Sequence, residues 1–242
     1  MKKMLLLCTG LFLAAGIASA QVTSDNIVGY QKHLGNAGTY TLLAPNFVNV
    51  LPVDEFIELN RISGKFSEGD EVQFYGSDGN SDYTLFWRTA AANYDMIPDG
   101  WYTGSYGDAG KTPIKVGTSL FVYTRSTTDI YISGQVEFDD TEFDVTSGFT
   151  AVGNCSLFPL DLDEFIFTGL QEGDEVQFYG ADGNSDYTLF WRTAAANYDM
   201  IPDGWYTGIY GDAGDTNIKP GEGFFLNAKG STVRVKIPSS LN

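Results

Sequence analysis

The 242-residue chain has a single histidine, His33, and that scarcity removes most of the usual catalytic apparatus. Ser-His-Asp triads and histidine-rich metal sites have almost nothing to draw on, so His33 reads as a lone surface residue. Cysteine is as scarce. Cys8 sits in an amino-terminal apolar run, too early for a lipoprotein acylation site, and Cys155 is then left without an internal disulfide partner. A small buried side chain is the plainer reading of Cys155, a cross-linking or reactive thiol the other. Positive charge is short too: 14 Lys and Arg stand against 31 Asp and Glu, for a net charge of −17. Such a field repels phosphate backbones and anionic headgroups, which argues against nucleic acid or a membrane surface as partner and leaves cations open. Beyond residue 20 no apolar run approaches the ~20 residues of a membrane span. No glycine-rich phosphate loop lies between a strand and a helix.

What is present begins with an export signal. Lys2 and Lys3, the apolar run 4–17 and the small residues Ala18-Ser19-Ala20 read as a cleavable secretory signal over 1–20. A mature chain starting near Gln21 is expected outside the cytoplasm of a bacterium, whether secreted, periplasmic or on the cell surface, with no membrane insertion. Aromatic residues make up 14% of the chain, far too many for a disordered acidic tail.

Internal repetition decides the organisation. Residues 68–112 match 172–216 at an offset of 104, differing only at Ser77/Ala181, Ser105/Ile209 and Lys111/Asp215. Upstream, Asp54-Glu55-Phe56-Ile57 matches Asp163-Glu164-Phe165-Ile166, which places five extra residues of the first copy around 60–65. The mature chain therefore reads as two homologous units, 21–138 and 139–242. Strand-favouring runs at 71–75, 83–88, 119–124 and 130–132 alternate with turn formers, and Val233, Val235 and Ile237 alternate with Arg234 and Lys236. Pro98-Asp99-Gly100 marks a hairpin between 94–97 and 101–103. Only 53–59 looks helical, with Asp54 and Glu55 suited to a first turn. The expected fold is all-β: two tandem β-sandwich or small-barrel modules, each with about seven short strands and at most one short helix.

The segment Ser24-Asp25-Asn26-Ile27-Val28-Gly29-Tyr30, the Gly69-Asp70 strand opening, the Asp-Gly hairpins and Pro220-Gly221-Glu222-Gly223-Phe224-Phe225 together resemble a group of uncharacterised secreted β-rich proteins of Verrucomicrobia and related bacteria. The resemblance implies an exported β module and carries no activity with it. The first unit departs from it, with Val116-Gly117-Thr118-Ser119-Leu120-Phe121 at the last motif.

Two kinds of site are legible. Asp78, Asn80 and Asp82, repeated as Asp182, Asn184 and Asp186, start a calcium-loop pattern. That pattern fails at its sixth and twelfth positions, Tyr83 and Thr89, and hairpin chemistry explains the same residues. The aromatic candidates are Trp87, Trp101, Tyr102 and Tyr106 with Arg88 and Asp99, and their copies Trp191, Trp205, Tyr206 and Tyr210 with Arg192 and Asp203. Aromatic faces cover the C–H face of a sugar ring while charged neighbours bond its hydroxyls; equally, tryptophans fill the cores of small β modules. Without catalytic residues or a cofactor motif, the expectation is a non-enzymatic secreted protein that binds an extracellular polysaccharide or glycan through two linked sites. A self-associating matrix or surface component and a calcium-binding surface protein are the alternatives.

Overall fold

A computed structural model describes residues 28–48, 56–75, 81–136, 139–179, 185–230 and 232–239. Residues 1–20, expected to be an export signal, and the loop residues Asp78, Asn80, Asp182 and Asn184 lie outside them. Among the described residues no helix is long and apolar enough to cross a membrane.

The chain is all-β, with three-residue 3₁₀ turns and no α-helix among the described residues. The first half contains β1 (Val28–Gly35), β2 (Thr39–Leu43), β3 (Phe47–Val48), β4 (Phe56–Glu58), β5 (Ile62–Gly64), β6 (Glu71–Tyr75), β7 (Ser81–Arg88), β8 (Gly100–Tyr102), β9 (Pro113–Lys115), β10 (Leu120–Thr124) and β11 (Thr128–Val136). The second contains β12 (Thr141–Val145), β13 (Gly148–Gly153), β14 (Leu160–Asp161), β15 (Ile166–Thr168), β16 (Glu175–Tyr179), β17 (Ser185–Arg192), β18 (Gly204–Tyr206), β19 (Asn217–Ile218), β20 (Gly223–Ala228) and β21 (Val233–Ile237). Each half builds a five-stranded antiparallel sheet, β2-β10-β6-β7-β8 or β13-β20-β16-β17-β18. Each adds a smaller sheet centred on β11 or β21, and a two-stranded ribbon, β4-β9 or β14-β19.

Residue alternation explains the long strands. In β11, Thr128, Ile130, Ile132, Gly134 and Val136 are buried while the residues between them are half-exposed. In β21, Val233, Val235 and Ile237 point inward, and Arg234 and Lys236 reach across the outer face to Glu142 and Asp140 of the β12 region.

Sheet against sheet, each half encloses its own apolar cluster, one around Ile57, Val72, Trp101 and Ile130, the other around Leu162, Val176, Trp205 and Val233. A third cluster joins the halves. Phe121 and Phe225, counterparts in the repeat, stack with ring centroids 5.8 Å apart, and Tyr75 and Tyr179 pack edge-on against them. Backbone bonds across this junction are reciprocal. Ala44 donates to the Gly221 carbonyl at 2.8 Å, and its counterpart Gly153 donates to the Gly117 carbonyl at 2.9 Å. The bridges Leu43–Glu222 and Thr118–Val152 obey the same exchange, so the two halves are related by a local pseudo-dyad.

Several expectations change. The small sheets stand as a four-bladed, propeller-like ring and do not separate clearly into two tandem sandwiches, because the outer faces of both five-stranded sheets are consumed by the shared cluster. Many strands of two or three residues raise the number well above seven per half. The segment expected to be helical instead enters β4 at Phe56 and makes a 3₁₀ turn at Leu59–Arg61. The match of Phe56 and Ile57 to Phe165 and Ile166 does not hold in the structure. Leu59 donates to the Thr112 carbonyl as Leu162 does to that of Thr216, and Ile57 pairs with Ile114 as Leu160 does with Ile218. The extra residues of the first half therefore fall between Leu43 and Ile57. Finally, β7 pairs directly with β8, so 94–97 is loop and not strand.

Candidate functional site

The described parts of the repeated block fold alike in both halves. Trp87 on β7 lies directly opposite Trp101 on β8, edge-to-face at 5.2 Å, and Trp191 lies opposite Trp205 at 5.3 Å. Cross-strand partners share a face, and here it is the inner one. Trp101 and Trp205 are only 2% and 1% exposed, whereas Trp87 and Trp191 are half-buried. Phe66 closes over the first pair, and Phe167 packs against Trp205. Tyr102 and Tyr206 are buried as well, their hydroxyls donating to the carbonyls of Pro98 and Pro202 at 3.1 Å.

The loop between β7 and β8 is held by side chains. Glu68 accepts from the Thr89 N–H at 2.7 Å and from the Arg88 guanidinium at 2.9 Å, and Asp99 accepts from the Ala90 N–H at 2.7 Å. Burial pushes the Glu68 carboxyl up, but the Thr89 N–H and the Arg88 guanidinium outweigh it and leave its pKa below the usual range. Glu172, Arg192, Thr193, Ala194 and Asp203 repeat the arrangement. Arg88 also lies over the rings of Phe86 and Tyr106, at 5.1 and 4.9 Å from their centroids, as Arg192 does over Phe190 and Tyr210. Tyr106 and Tyr210 adopt positive φ and are half-exposed.

The sequence candidates thus fall into two groups. Trp87, Trp101, Tyr102 and Asp99 line one cleft of about 350 Å³, together with Asn60, Asp108, Lys111 and the residues of β5. Arg88 and Tyr106 form a separate outer cluster. In the cleft the indole Nε1 of Trp101 is buried without a hydrogen-bond partner. The surroundings of the two copies differ in charge, with Asn60 and Lys111 in the first and Asp163 and Asp215 in the second. Burial, then Asp212, Asp215 and Asp161, push the Asp163 carboxyl up.

Sequence reasoning missed the loop tip. Tyr94 and Met96 are 87% and 78% exposed, and Tyr198 and Met200 match them. Tyr94 and Asp95 both adopt left-handed φ, near 54° and 58°, so bulky side chains are presented from strained backbone. The signal available was the Asn-Tyr-Asp triplet, whose asparagine side chain caps the turn by donating to the Thr89 carbonyl. His33 is also no plain surface residue. It is half-buried on β1, and its buried Nε2 has no partner. Cys155 is buried in the second core. Asp82 and Asp186 are the second residues of β7 and β17, while Asp78, Asn80, Asp182 and Asn184 lie outside the described residues. Among the described residues no group of three or more His, Cys, Asp or Glu is placed to hold a metal ion. Comparison with protein-family models, curated proteins and solved structures finds no match to this chain.

Proposed function

We propose that this chain is an exported, non-enzymatic binding protein, built from two homologous sandwich-like units, whose aromatic cleft takes carbohydrate. The observation that carries this reading is the cleft in which the half-buried Trp87 stands beside Asp99, Asp108 and Lys111. Indole faces, the Asp99 and Asp108 carboxylates and the Lys111 ammonium supply the apolar and polar contacts that a sugar chain needs. The test is calorimetric titration with a panel of soluble polysaccharides, beside acrylamide quenching of tryptophan fluorescence. A binding polysaccharide should protect Trp87, and Trp87→Ala should remove the heat. A flat titration across the panel sinks the reading.

A second reading, assembly into an extracellular matrix, is favoured by the exposed Tyr94, Met96, Tyr198, Met200 and Ile209. Strand addition is the weaker route to it. The β2 and β13 edges meet the opposite half at Ala44 and Gly153, and β8 is covered by the bridge from Tyr102 to Asp108. Sedimentation at rising concentration without ligand separates the two: assembly gives oligomers, and a glycan-binding module stays monomeric.

A further inference from the structure

Building on the carbohydrate reading of the tryptophan cleft, we propose that the first half binds an acidic glycan laid across β5, with Lys65 and Lys111 meeting its carboxylate or sulfate groups. A second cleft, of about 530 Å³, is lined in part by Leu34, Lys65, Ser126, Thr127, Asp129 and Tyr131. That volume is in the range of small-molecule sites. Gly64, the last residue of β5, lines this cleft and the tryptophan cleft alike, so the two adjoin there. Leu34 is 55% exposed, and Lys65, Ser126 and Thr127 are exposed too, so a ligand from solvent reaches these walls directly.

Ion pairing separates the two halves. Every described Lys and Arg of the second half, Arg192, Lys219, Lys229, Arg234 and Lys236, forms a salt bridge. In the first half Lys32 and Arg88 do so, whereas Arg61, Lys65, Lys111, Lys115 and Arg125 form none among the described residues. Lys65 and Lys111 are exposed, and one stands in each of the two adjoining clefts. In a chain of net charge −17 these two ammonium groups are open to an anion from outside. Asp129 does not cancel Lys65, because it is bound by Lys32 at 2.9 Å. That bond holds the Asp129 carboxyl below its usual range, and Lys65 adds a weaker pull.

The duplication supplies an internal control. Gly64 abuts the Asp129 carbonyl as Gly169 abuts that of Thr232, so Ile130 matches Val233 and Tyr131 matches Arg234. By the same register His33, opposite Ile130, matches Val145, opposite Val233. Where Tyr131 lines the open cleft, Arg234 is tied to Glu142 and Asp144. The Asn60 N–H donates to the Gly110 carbonyl as that of Asp163 does to Gly214, so Asn60-Arg61 matches Asp163-Glu164 and Lys111 matches Asp215. Lys65 stands between Gly64 and Gly69, and no basic residue stands between Gly169 and Gly173. The fold thus accepts carboxylates where the first half presents cations, and the basic surface is a departure confined to one half.

The ligand class follows from these charges and their neighbours. Trp87 offers an indole to the C–H face of a sugar ring in one cleft, and Leu34 and Tyr131 offer apolar surface in the other. The Ser126 and Thr127 hydroxyls lie beside Lys65 in the second cleft, as hydrogen-bonding groups for ring hydroxyls. The net negative charge of the chain opposes an anion at long range. At physiological salt that field is screened beyond about 8 Å, so the ammonium groups in the clefts decide.

The test is calorimetric titration of the full chain, in calcium-free buffer, with polygalacturonate, its methyl-esterified form, dextran sulfate and dextran. At least one anionic polymer should bind, and its neutral form should bind about tenfold more weakly, two exposed ionic contacts being lost. A response to polygalacturonate marks carboxylate as the group recognised, and one to dextran sulfate marks sulfate. Lys65→Gln should weaken the anionic polymer about threefold, the size of one exposed ion pair, while Lys65→Arg binds as the parent does. Lys111→Asp, which copies the second half, sets repulsion in place of attraction and should weaken it about tenfold. Both lysines are exposed, so circular dichroism should stay native in each variant. The proposal is overturned if neither anionic polymer binds, if the neutral form binds as tightly as the charged one, or if Lys65→Gln and Lys111→Asp both bind as the parent does. Heat from neutral polysaccharides alone overturns it and leaves the carbohydrate reading of the tryptophan cleft standing; no heat from any polysaccharide removes both.

Discussion

At the pseudo-dyad there is room for one methyl group where the repeat would place two. Ala44 and Gly153 are counterparts that face each other, and a Cβ added to Gly153 would lie 2.0 Å from the Ala44 Cβ. Neither atom belongs to a flexible side chain, so Gly153→Ala must push the backbones of β2 and β13 apart. Overpacking of this kind costs about 1–3 kcal/mol. For a chain of this size each kcal/mol lowers Tm by roughly 2–4 °C, so a fall of about 4–8 °C is the central expectation. The diagnostic step is the double variant Ala44→Gly/Gly153→Ala, which moves the methyl group to the other side of the axis. It should recover most of the loss. A residue of strain should persist, since the new Cβ still meets the Ala44 Cα at 3.2 Å and the Thr118 carbonyl at 3.3 Å. Urea titrations of the parent, both single variants and the double variant give the coupling energy directly. A neutral Gly153→Ala, or a double variant no more stable than the worse single one, would refute the packing described at the junction.

Three further outcomes follow from particular contacts. Acrylamide should reach Trp87 and Trp191 but neither Trp101 nor Trp205, so quenching plots should curve downward toward an inaccessible fraction; a single linear plot that reaches all four contradicts the burial of the second pair. Asp163 has a raised pKa in the folded chain, so its contribution to stability is full below the ordinary value of 3.8 and is lost as pH rises through the folded value. Asp163→Asn should therefore raise Tm at neutral pH, with the gain vanishing near pH 3, and a loss at neutral pH would count against the carboxylate crowding. Glu68 has a depressed pKa, so its contribution is present above the ordinary 4.5 and is lost as pH falls through the folded value. Glu68→Gln should cost about 1 kcal/mol at neutral pH after allowance for solvent screening, and less in acid; an effect independent of pH would show that charge is not involved.

Much of the strand pattern is legible in the sequence, and its failures share a cause. Alternation picks out β21, and β6 and β7 stand where strand-favouring runs flank turn formers. Pro98-Asp99-Gly100 misleads because the bonds that shape its loop come from far along the chain, above all from Glu68. Phe56 and Ile57 mislead because their letters match those of Phe165 and Ile166 while the strand pairing of Ile57 matches that of Leu160. In Leu120-Phe121-Val122 and Phe224-Phe225-Leu226 the runs are apolar on both faces, the mark of a strand covered twice, which announces a second packing surface without naming its partner. At the candidate sites, composition located the aromatic block and could not sort Trp101, which is core, from Tyr94, which is bare. His33 was hidden because its burial depends on the second half of the chain folding over it.

The reciprocal bonds of Ala44 and Gly153 have a consequence for how the halves meet. Two separate copies of one unit would find such an isologous surface at a rate set by their concentration, and each would bring the same residue to the axis. Joined in one chain, they meet at a fixed high effective concentration that dilution cannot lower. Covalent connection also lifts the demand for identity, so alanine can face glycine, and histidine can stand on one side where valine stands on the other.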